Sequence, residues 1–396
     1  MREVVIVEAA RTAVGKRNGT LANTHPTDLL GPVQAAVIER AGLDPSLVGQ
    51  VVGGCVDQVG AQAANVTRTA WLTYGLPQDT ACSTVDAQCG SSQHAVNLAY
   101  ALVASGVEDV AIGCGVENMT MVPIGANAVD GAQAGHGKPV TRKYWEHFEF
   151  TSQFEGAERI ATKYGITRDD TDEFGLESQV RARRAIDEGR FETQIVPVEA
   201  AQVDENGKRT DATVTFSVDE VPRDTSREAL ANLKPVARED GVHTAGSSSQ
   251  IADGAAAVLL MTAEKANELG LRPRARILET CLVGCDPVLM LEGPIPATQR
   301  LLERQGMTVN DVDVFEINEA FASVVLAWAQ QLKPEMERVN PNAGAIALGH
   351  PLGGTGAVLT TKALHELERS GGEIGVVTMC CGGGLGTGTL IQRISS

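Results

Sequence analysis

The chain predicts an α/β fold, a mostly parallel sheet flanked by helices, made of two like halves with a polar segment inserted between them. Three observations carry that reading. Short valine- and isoleucine-rich runs alternate with stretches of helical periodicity in the first and last thirds. From Met119 to about Val242 this pattern gives way to a polar, charged and irregular stretch. The last third then repeats the order of the first.

In order, Val4 to Val7 reads as a strand, Thr27 to Ala41 as a helix, Val48 to Gly53 as a strand and Asn65 to Tyr74 as a helix. Thr84 to Ala87 reads as a short strand running into Cys89, and Asp109 to Gly115 as the strand after the next helix. In the inserted stretch, Gln153 to Tyr164 and Asp169 to Glu188 are amphipathic helices, and Asp204-Glu205-Asn206-Gly207 suggests a hairpin turn. Gln250 to Met261 is expected to be a helix running into a strand. These boundaries give a first half of residues 1–118 plus 246–270, a lid of 119–245 and a second half of 271–396.

The duplication can be followed residue by residue. Glu39-Arg40-Ala41-Gly42, then Ser46-Leu47-Val48 and a strand, matches Glu303-Arg304-Gln305-Gly306, then Asn310-Asp311-Val312 and a strand. Cys89-Gly90-Ser91-Ser92, Ser105-Gly106 and the strand to Cys114 parallel His350, Gly353-Gly354-Thr355-Gly356, Ser370-Gly371 and the strand to Cys380. Packed as pseudo-symmetric layers, such halves put Cys89 and His350 at equivalent, facing helix starts.

Composition excludes several classes. A net charge of −17 repels nucleic acid and anionic membranes, and 4% aromatic residues leave few stacking platforms for bases. No stretch has the apolar length of a membrane span, and the first residues read as a strand, so a cytoplasmic protein is expected. The eight cysteines form no CxxC pair and no zinc spacing. They are expected to be free thiols, with no metal bound.

The chemistry centres on Cys89. A lone cysteine is ordinarily a small buried hydrophobe. Here apolar residues at Ala95, Leu98, Ala99, Leu102 and Val103 start a helix just after it, where backbone N–H groups and the helix dipole are expected to lower the thiol pKa. His350, in Gly349-His350-Pro351, is placed opposite by the duplication, and an imidazole is the usual activator of a cysteine nucleophile. The glycines after Cys380, through Gly382 to Gly386, let backbone N–H groups approach a developing oxyanion. No lysine-serine or lysine-threonine pair follows them, which disfavours a phosphate loop. By strand alternation Cys380 is the second reactive thiol and Cys381 points to the other face. Asn318, between a strand and a helix, either caps the helix or holds a water.

Together these motifs resemble the thiolase family: Asp86-Ala87-Gln88-Cys89-Gly90-Ser91, Asn318-Glu319-Ala320-Phe321, Gly349-His350-Pro351 and Cys380-Cys381-Gly382-Gly383-Gly384-Leu385-Gly386. The resemblance covers essentially the whole chain. It implies two pseudo-symmetric βαβαβαββ halves in a five-layered α-β-α-β-α arrangement with an inserted loop domain, in a homo-oligomer, commonly a tetramer. It implies reversible acyl transfer between Cys89 and coenzyme A, the latter a substrate, with no metal or redox cofactor. In that scheme the N–H groups of Cys89 and Gly382 form an oxyanion hole, and His350 with a water on Asn318 stabilises the enolate. Cys380 moves protons at carbon and sulfur. For coenzyme A it implies Arg223 at the phosphates, Ala245 and Ser249 along the pantetheine arm, and Met290, Ala320 and Phe321 near the thioester.

Short-chain biosynthetic members carry a His-Met pair where this chain has Gln153-Phe154. Gly15 to Gly19, Gln153 to Ala161 and Gly241 to Ala257 look most like actinobacterial degradative thiolases, including those of sterol side-chain breakdown. The resemblance therefore implies thiolysis of a 3-oxoacyl-CoA to acetyl-CoA or propionyl-CoA and a shortened acyl-CoA. The alternatives are a biosynthetic acetoacetyl-CoA thiolase, a condensing enzyme of fatty-acid or polyketide synthesis, and a non-catalytic acyl-CoA- or lipid-binding protein on the same fold.

Overall fold

The structure is a computed structural model that describes residues 2–204 and 209–395. The first half holds β1 (Val4–Thr12), β2 (Gly15–Lys16), α1 (Pro26–Ala41), β3 (Gln50–Gly54), α2 (Val66–Thr73), β4 (Ala81–Val85), α3 (Ser91–Ser105) and β5 (Val110–Asn118). The inserted segment carries α4 (Ala126–Gln133), α5 (Gln153–Tyr164), α6 (Arg168–Asp187), β6 (Ile195–Val196), β7 (Val198–Val203), β8 (Arg209–Phe216) and α7 (Arg227–Ala231). There follow β9 (Ala252–Thr262), α8 (Ala263–Glu268), β10 (Ala275–Gly284), α9 (Pro294–Gln305), β11 (Val314–Ile317) and α10 (Ala322–Leu332). The chain ends with α11 (Ala345–Leu348), α12 (Thr355–Ser370), β12 (Ile374–Cys381) and β13 (Leu385–Arg393). The expected turn at Asp204-Glu205-Asn206-Gly207 falls mostly outside the described residues; β7 and β8 on either side of it pair antiparallel.

Local signals explain where the helices stop. α1, α3, α9 and α12 each end on a glycine in the left-handed region, Gly42 at φ 69°, Gly106 at 87°, Gly306 at 63° and Gly371 at 77°. These are the glycines that the sequence repeat aligns.

Strand order is β4-β3-β5-β9-β1 in one half and β10-β13-β12-β11 in the other, joined where β1 meets β10 at Val5↔Arg276 and Ile6↔Ala275. Pairing follows the repeat: β3 and β5 are parallel, as are β11 and β12, while β5–β9–β1 and β12–β13–β10 run antiparallel. The counterpart of β4 is a single parallel bridge, Phe315↔Val339. The sheet is thus mixed rather than mostly parallel. The three-residue link from β12 to β13, with Gly383 and Gly384 at φ 78° and 80°, is too short for a parallel crossover, which needs a dozen residues or more.

A second expectation fails at Gln250–Met261, where the helix is absent and β9 runs from Ala252 to Thr262, buried along its whole length. Alanine favours helix in isolation, but here it fills a strand with α1 on one side and α3 and α12 on the other. Small side chains let those helices approach.

The layers follow from these contacts. α1 and α2 cover the outer face of the first sheet and α9 that of the second, while α3 and α12 lie between the sheets and touch strands of both. Missing Cβ atoms set the closeness of this middle layer. A Cβ on Gly356 would stand 2.3 Å from Gln93 N in α3, and one on Gly115 would stand 2.3 Å from the Gly353 carbonyl.

The inserted segment is fastened to β1 by a buried bidentate pair: Arg11 Nη1 and Nη2 donate to Asp219 Oδ1 and Oδ2 at 2.7 and 2.9 Å, with the guanidinium 4.9 Å from the Phe191 ring centre. No helix among the described residues is long and apolar enough to cross a membrane.

Gly356→Ala is expected to destabilise the protein by about 1–3 kcal/mol through overpacking, read as a lower urea midpoint. Gly131→Ala in α4, whose new carbon meets nothing within 4 Å, is expected to stay within about 0.5 kcal/mol of the parent. Equal midpoints for the two variants would contradict the packing described.

Candidate active site

Cys89 sits on an elbow between β4 and α3. Gln88 is held at φ 53°, its N–H bonded to Asp86 Oδ1 at 2.7 Å and its carbonyl to Ser91 Oγ at 2.6 Å. This turns Cys89 inward immediately before the helix, with 7% of its surface exposed. The N–H groups of Gly382 and of Cys89 itself are directed at the sulfur. Burial nevertheless outweighs them and, with Glu117 and Asp86 adding their negative charge, pushes the thiol up to about 11. The expected lowering is therefore overturned: low-dielectric surroundings penalise a lone thiolate more than two N–H dipoles favour it. At neutral pH the sulfur keeps its proton and needs a base.

His350 is the base that the sequence repeat and the family resemblance imply. It follows Gly349, at φ 91°, and its N–H bonds the Gln250 carbonyl at 2.9 Å. Ring Nδ1 lies 2.7 Å from Thr355 Oγ1, whose hydroxyl donates to the Pro351 carbonyl at 2.9 Å. With that proton committed, the hydrogen between ring and hydroxyl belongs to Nδ1, and Nε2 carries the lone pair. Nε2 faces Asn318 Nδ2 at 3.3 Å. Burial lowers the imidazole to about 4, so it is neutral at pH 7.

Asn318 is fully buried, and its Oδ1 has no hydrogen-bond partner among the described residues. Its N–H bonds the Thr378 carbonyl at 3.1 Å, two residues before Cys380 on β12. Cys380 is fully buried in an apolar cluster with Met290, Ala320 and Phe321. Burial raises its pKa well above the usual thiol range, and proximity to Cys89 adds to the rise. Cys381 faces the other way, among the apolar residues under α3, with the Gly90 N–H directed at its sulfur.

The outer residues form a second group. Exposed Arg223 donates from Nη2 to the Ala245 carbonyl at 2.7 Å, and the Ser249 N–H bonds the Ala320 carbonyl at 2.9 Å. Ser248 bridges to Phe321, whose ring centre lies 5.4 Å from those of Phe154 and His243. Met290 closes the cluster at φ 63°. The structure thus joins Arg223, Ala245, Ser249, Ala320, Phe321 and Met290 into one wall leading to Cys380.

Sequence reasoning missed three positioning residues. Thr355 fixes the imidazole; the available signal was a hydroxyl one turn after His350, at a helix start. Glu117 accepts from Val56 N, Asp57 N and Gly353 N at 2.9, 3.1 and 2.9 Å and so ties the loop after β3 to the loop after His350. Glu319 accepts from Ser178 Oγ at 2.7 Å, Asn340 Nδ2 at 2.9 Å and Ile346 N at 3.2 Å, anchoring the turn that precedes His350. Both carboxylates end or follow apolar strands, the one hint in the sequence. Among the described residues no cluster of three His, Cys, Asp or Glu side chains is placed to hold a metal.

A nucleophile elbow, an imidazole and a second thiol at the ends of duplicated strand–helix units define the class. The chain belongs to the thiolase family: the model of the thiolase N-terminal domain matches residues 4–264 and that of the C-terminal domain residues 271–393. It is 46% identical to a steroid 3-ketoacyl-CoA thiolase of Mycobacterium tuberculosis, over all of this chain and 95% of that one. It is 40% identical to a beta-ketoadipyl-CoA thiolase of Pseudomonas aeruginosa, over 99% of this chain and all of the other. The crystal structure of the Bacillus anthracis acetyl-CoA acetyltransferase superposes with a TM-score of 0.90 at 38% identity, covering 100% of this chain and 99% of that one.

Thr355→Val leaves the His350 Nδ1–H buried without a partner and is expected to lower kcat about tenfold with little change in KM, a loss near 1.4 kcal/mol. Thr355→Ser is expected to restore it. Steady-state kinetics on the pair checks the assignment, and an unaffected kcat in the valine variant would refute it.

Proposed function

We propose that the chain catalyses reversible thiolytic cleavage of a 3-oxoacyl-CoA by coenzyme A, giving acetyl-CoA or propionyl-CoA and an acyl-CoA shortened accordingly, in a degradative role. The observation that supports this is a pair of interacting thiols, one with two backbone N–H groups aimed at it, in a chain whose buried, neutral imidazole meets Asn318 through an Nε2 free of its own proton.

His350 Nε2 takes the Cys89 proton as the sulfur attacks the keto carbon. The oxyanion forms against the N–H groups of Cys89 and Gly382. When the carbon–carbon bond breaks, the electron pair passes to the departing enolate. There the protonated Nε2 and a water on Asn318 hold the oxygen, and Cys380 gives its proton to the carbon. The acyl group stays on Cys89 as a thioester. Incoming coenzyme A gives its thiol proton to the Cys380 thiolate, and its sulfur displaces Cys89. Cys89 leaves as thiolate and recovers its proton from His350. Coenzyme A enters as substrate, and each step is carried by groups of this chain.

In the same reading Arg223 meets the phosphates of coenzyme A, Ala245 and Ser249 line the pantetheine arm, and Met290, Ala320 and Phe321 border the thioester. Support for a degradative role comes from the name of the mycobacterial relative and from Phe154, which stands against Phe321 where short-chain biosynthetic members carry methionine. A homo-oligomer, tetrameric by family resemblance, belongs to the proposal. The exposed aromatic rings of Trp145, Phe148 and Phe150, clustered about half-buried Tyr144, support it as apolar surface suited to a contact.

Incubation with 3-oxoacyl-CoA alone is expected to label Cys89 as a thioester, detectable by peptide mass, and Cys89→Ala to abolish both label and turnover. A fully active alanine variant would end the proposal. Cys380→Ser is expected to keep the label while losing about 10²–10⁴-fold in turnover, the range for general acid–base groups. Thiolysis rates across esters from acetoacetyl-CoA to branched and steroid-sized 3-oxoacyl-CoA are expected to favour the larger substrates. Preference for acetoacetyl-CoA would point to the biosynthetic reading.

A further inference from the structure

The remaining concentration of charge lies far from Cys89, at the seam between the halves. A cleft of about 520 Å³ opens there, lined by Arg40, Arg272, Arg274 and Arg393 together with Glu8 and Glu368. Glu368 is thirteen residues along α12 from Thr355, about 20 Å at the helical rise. The cleft therefore occupies the other end of the helix that orients the imidazole.

Its charges are unequally paired. Arg274 takes both carboxylates, bonding Glu8 and, at 2.6 Å, Glu368. Arg40 is held by backbone, donating to the Thr193 and Ile195 carbonyls at 2.9 and 2.8 Å. Arg393 likewise donates to the Gly372 and Gly371 carbonyls at 2.5 and 3.0 Å. Arg272 is exposed and interacts with the Glu368 carboxylate through its charge, without a hydrogen bond among the described residues. Carbonyl groups orient a guanidinium without cancelling its charge. Four arginines against two glutamates give the lining a surplus of two positive charges in a chain of net charge −17.

A surface that needed positive charge only for solubility would spread it. Here three sources converge on one concavity: the end of α1 from the first half, and the segment before β10 and the end of β13 from the second. The volume lies in the range of small-molecule sites. Guanidinium forks match phosphate oxygens in bidentate fashion, and a phosphomonoester carries about −1.5 to −2 at pH 7, close to the surplus.

We propose that this cleft is a binding site for a phosphomonoester, separate from the coenzyme A wall and independent of the reaction assigned to Cys89. Isothermal titration of the full-length protein, at constant ionic strength, with inorganic phosphate and with adenosine 5′-monophosphate tests it. Saturable binding of at least one is expected. Preference for the nucleotide would identify a nucleotide-sized ligand, and equal affinity the phosphate group alone. Arg272→Glu, at an exposed position, is expected to weaken binding at least tenfold, and Arg40→Ala severalfold. Arg223→Ala, on the coenzyme A wall, is expected to leave it unchanged. Thiolysis without added phosphate is expected to be the same in Arg272→Glu and the parent, so failure here is separable from failure of the thiolase mechanism. Absence of saturable binding, or binding that Arg272→Glu leaves intact while Arg223→Ala removes it, would overturn the proposal.

Discussion

The whole arrangement depends on how closely α3 and α12 pack between the two sheets. Each helix begins at a chemically important loop, Cys89 on one side and His350 on the other, so their separation sets the geometry of the site. That separation is permitted by glycines: Gly115 against the Gly353 carbonyl and Gly356 against the α3 backbone leave no room for a Cβ. Glu117 then locks the approach, bonding the loop after β3 and the loop after His350 at once. Close packing at this seam and a buried carboxylate across it are two parts of one device.

Burial supplies both the obstacle and the solution for the chemistry. It raises the Cys89 and Cys380 thiols and lowers His350, so every reactive group rests in its neutral form. In the proposed mechanism charge arises in pairs, thiolate or oxyanion with imidazolium and then enolate with imidazolium. In a site of low dielectric such pairs attract strongly, whereas a lone ion is penalised. The N–H groups of Cys89 and Gly382 need no reorganisation when the oxyanion appears, because the elbow at Gln88 and the glycines after Cys381 already hold them in place.

The second half of the chain carries most of the positioning. Thr355 orients the imidazole, and Glu319 holds the turn before it through Asn340 and Ile346. Phe321 joins this rigid base to the inserted segment through Phe154 and His243. The inserted segment is in turn bound to β1 by the Arg11–Asp219 pair. Its ordered docking follows from a charge pair that would be costly to leave half-made.

Much of this was legible in the linear chain. The duplication was readable because the same caps and strands recur at Gly42 and Gly306 and at Gly106 and Gly371, and local backbone requirements such as a left-handed cap leave direct marks on residue choice. The cysteines, the histidine and the asparagine stood out because their types and order are chemical signals. Local sequence misjudged Ala255-Ala256-Ala257, whose helix preference yields to packing on both faces of β9, and the direction of the Cys89 shift. It gave no sign of the partners of Glu117 or of the arginine cleft at the seam, and only a hydroxyl one turn after His350 hinted at the Thr355 bond. Repeats, caps and motifs are properties of neighbouring residues, so the sequence alone determined them. Burial, electrostatic environment and the meeting of distant side chains depend on which surfaces face each other, and only the packing of the two halves decided those.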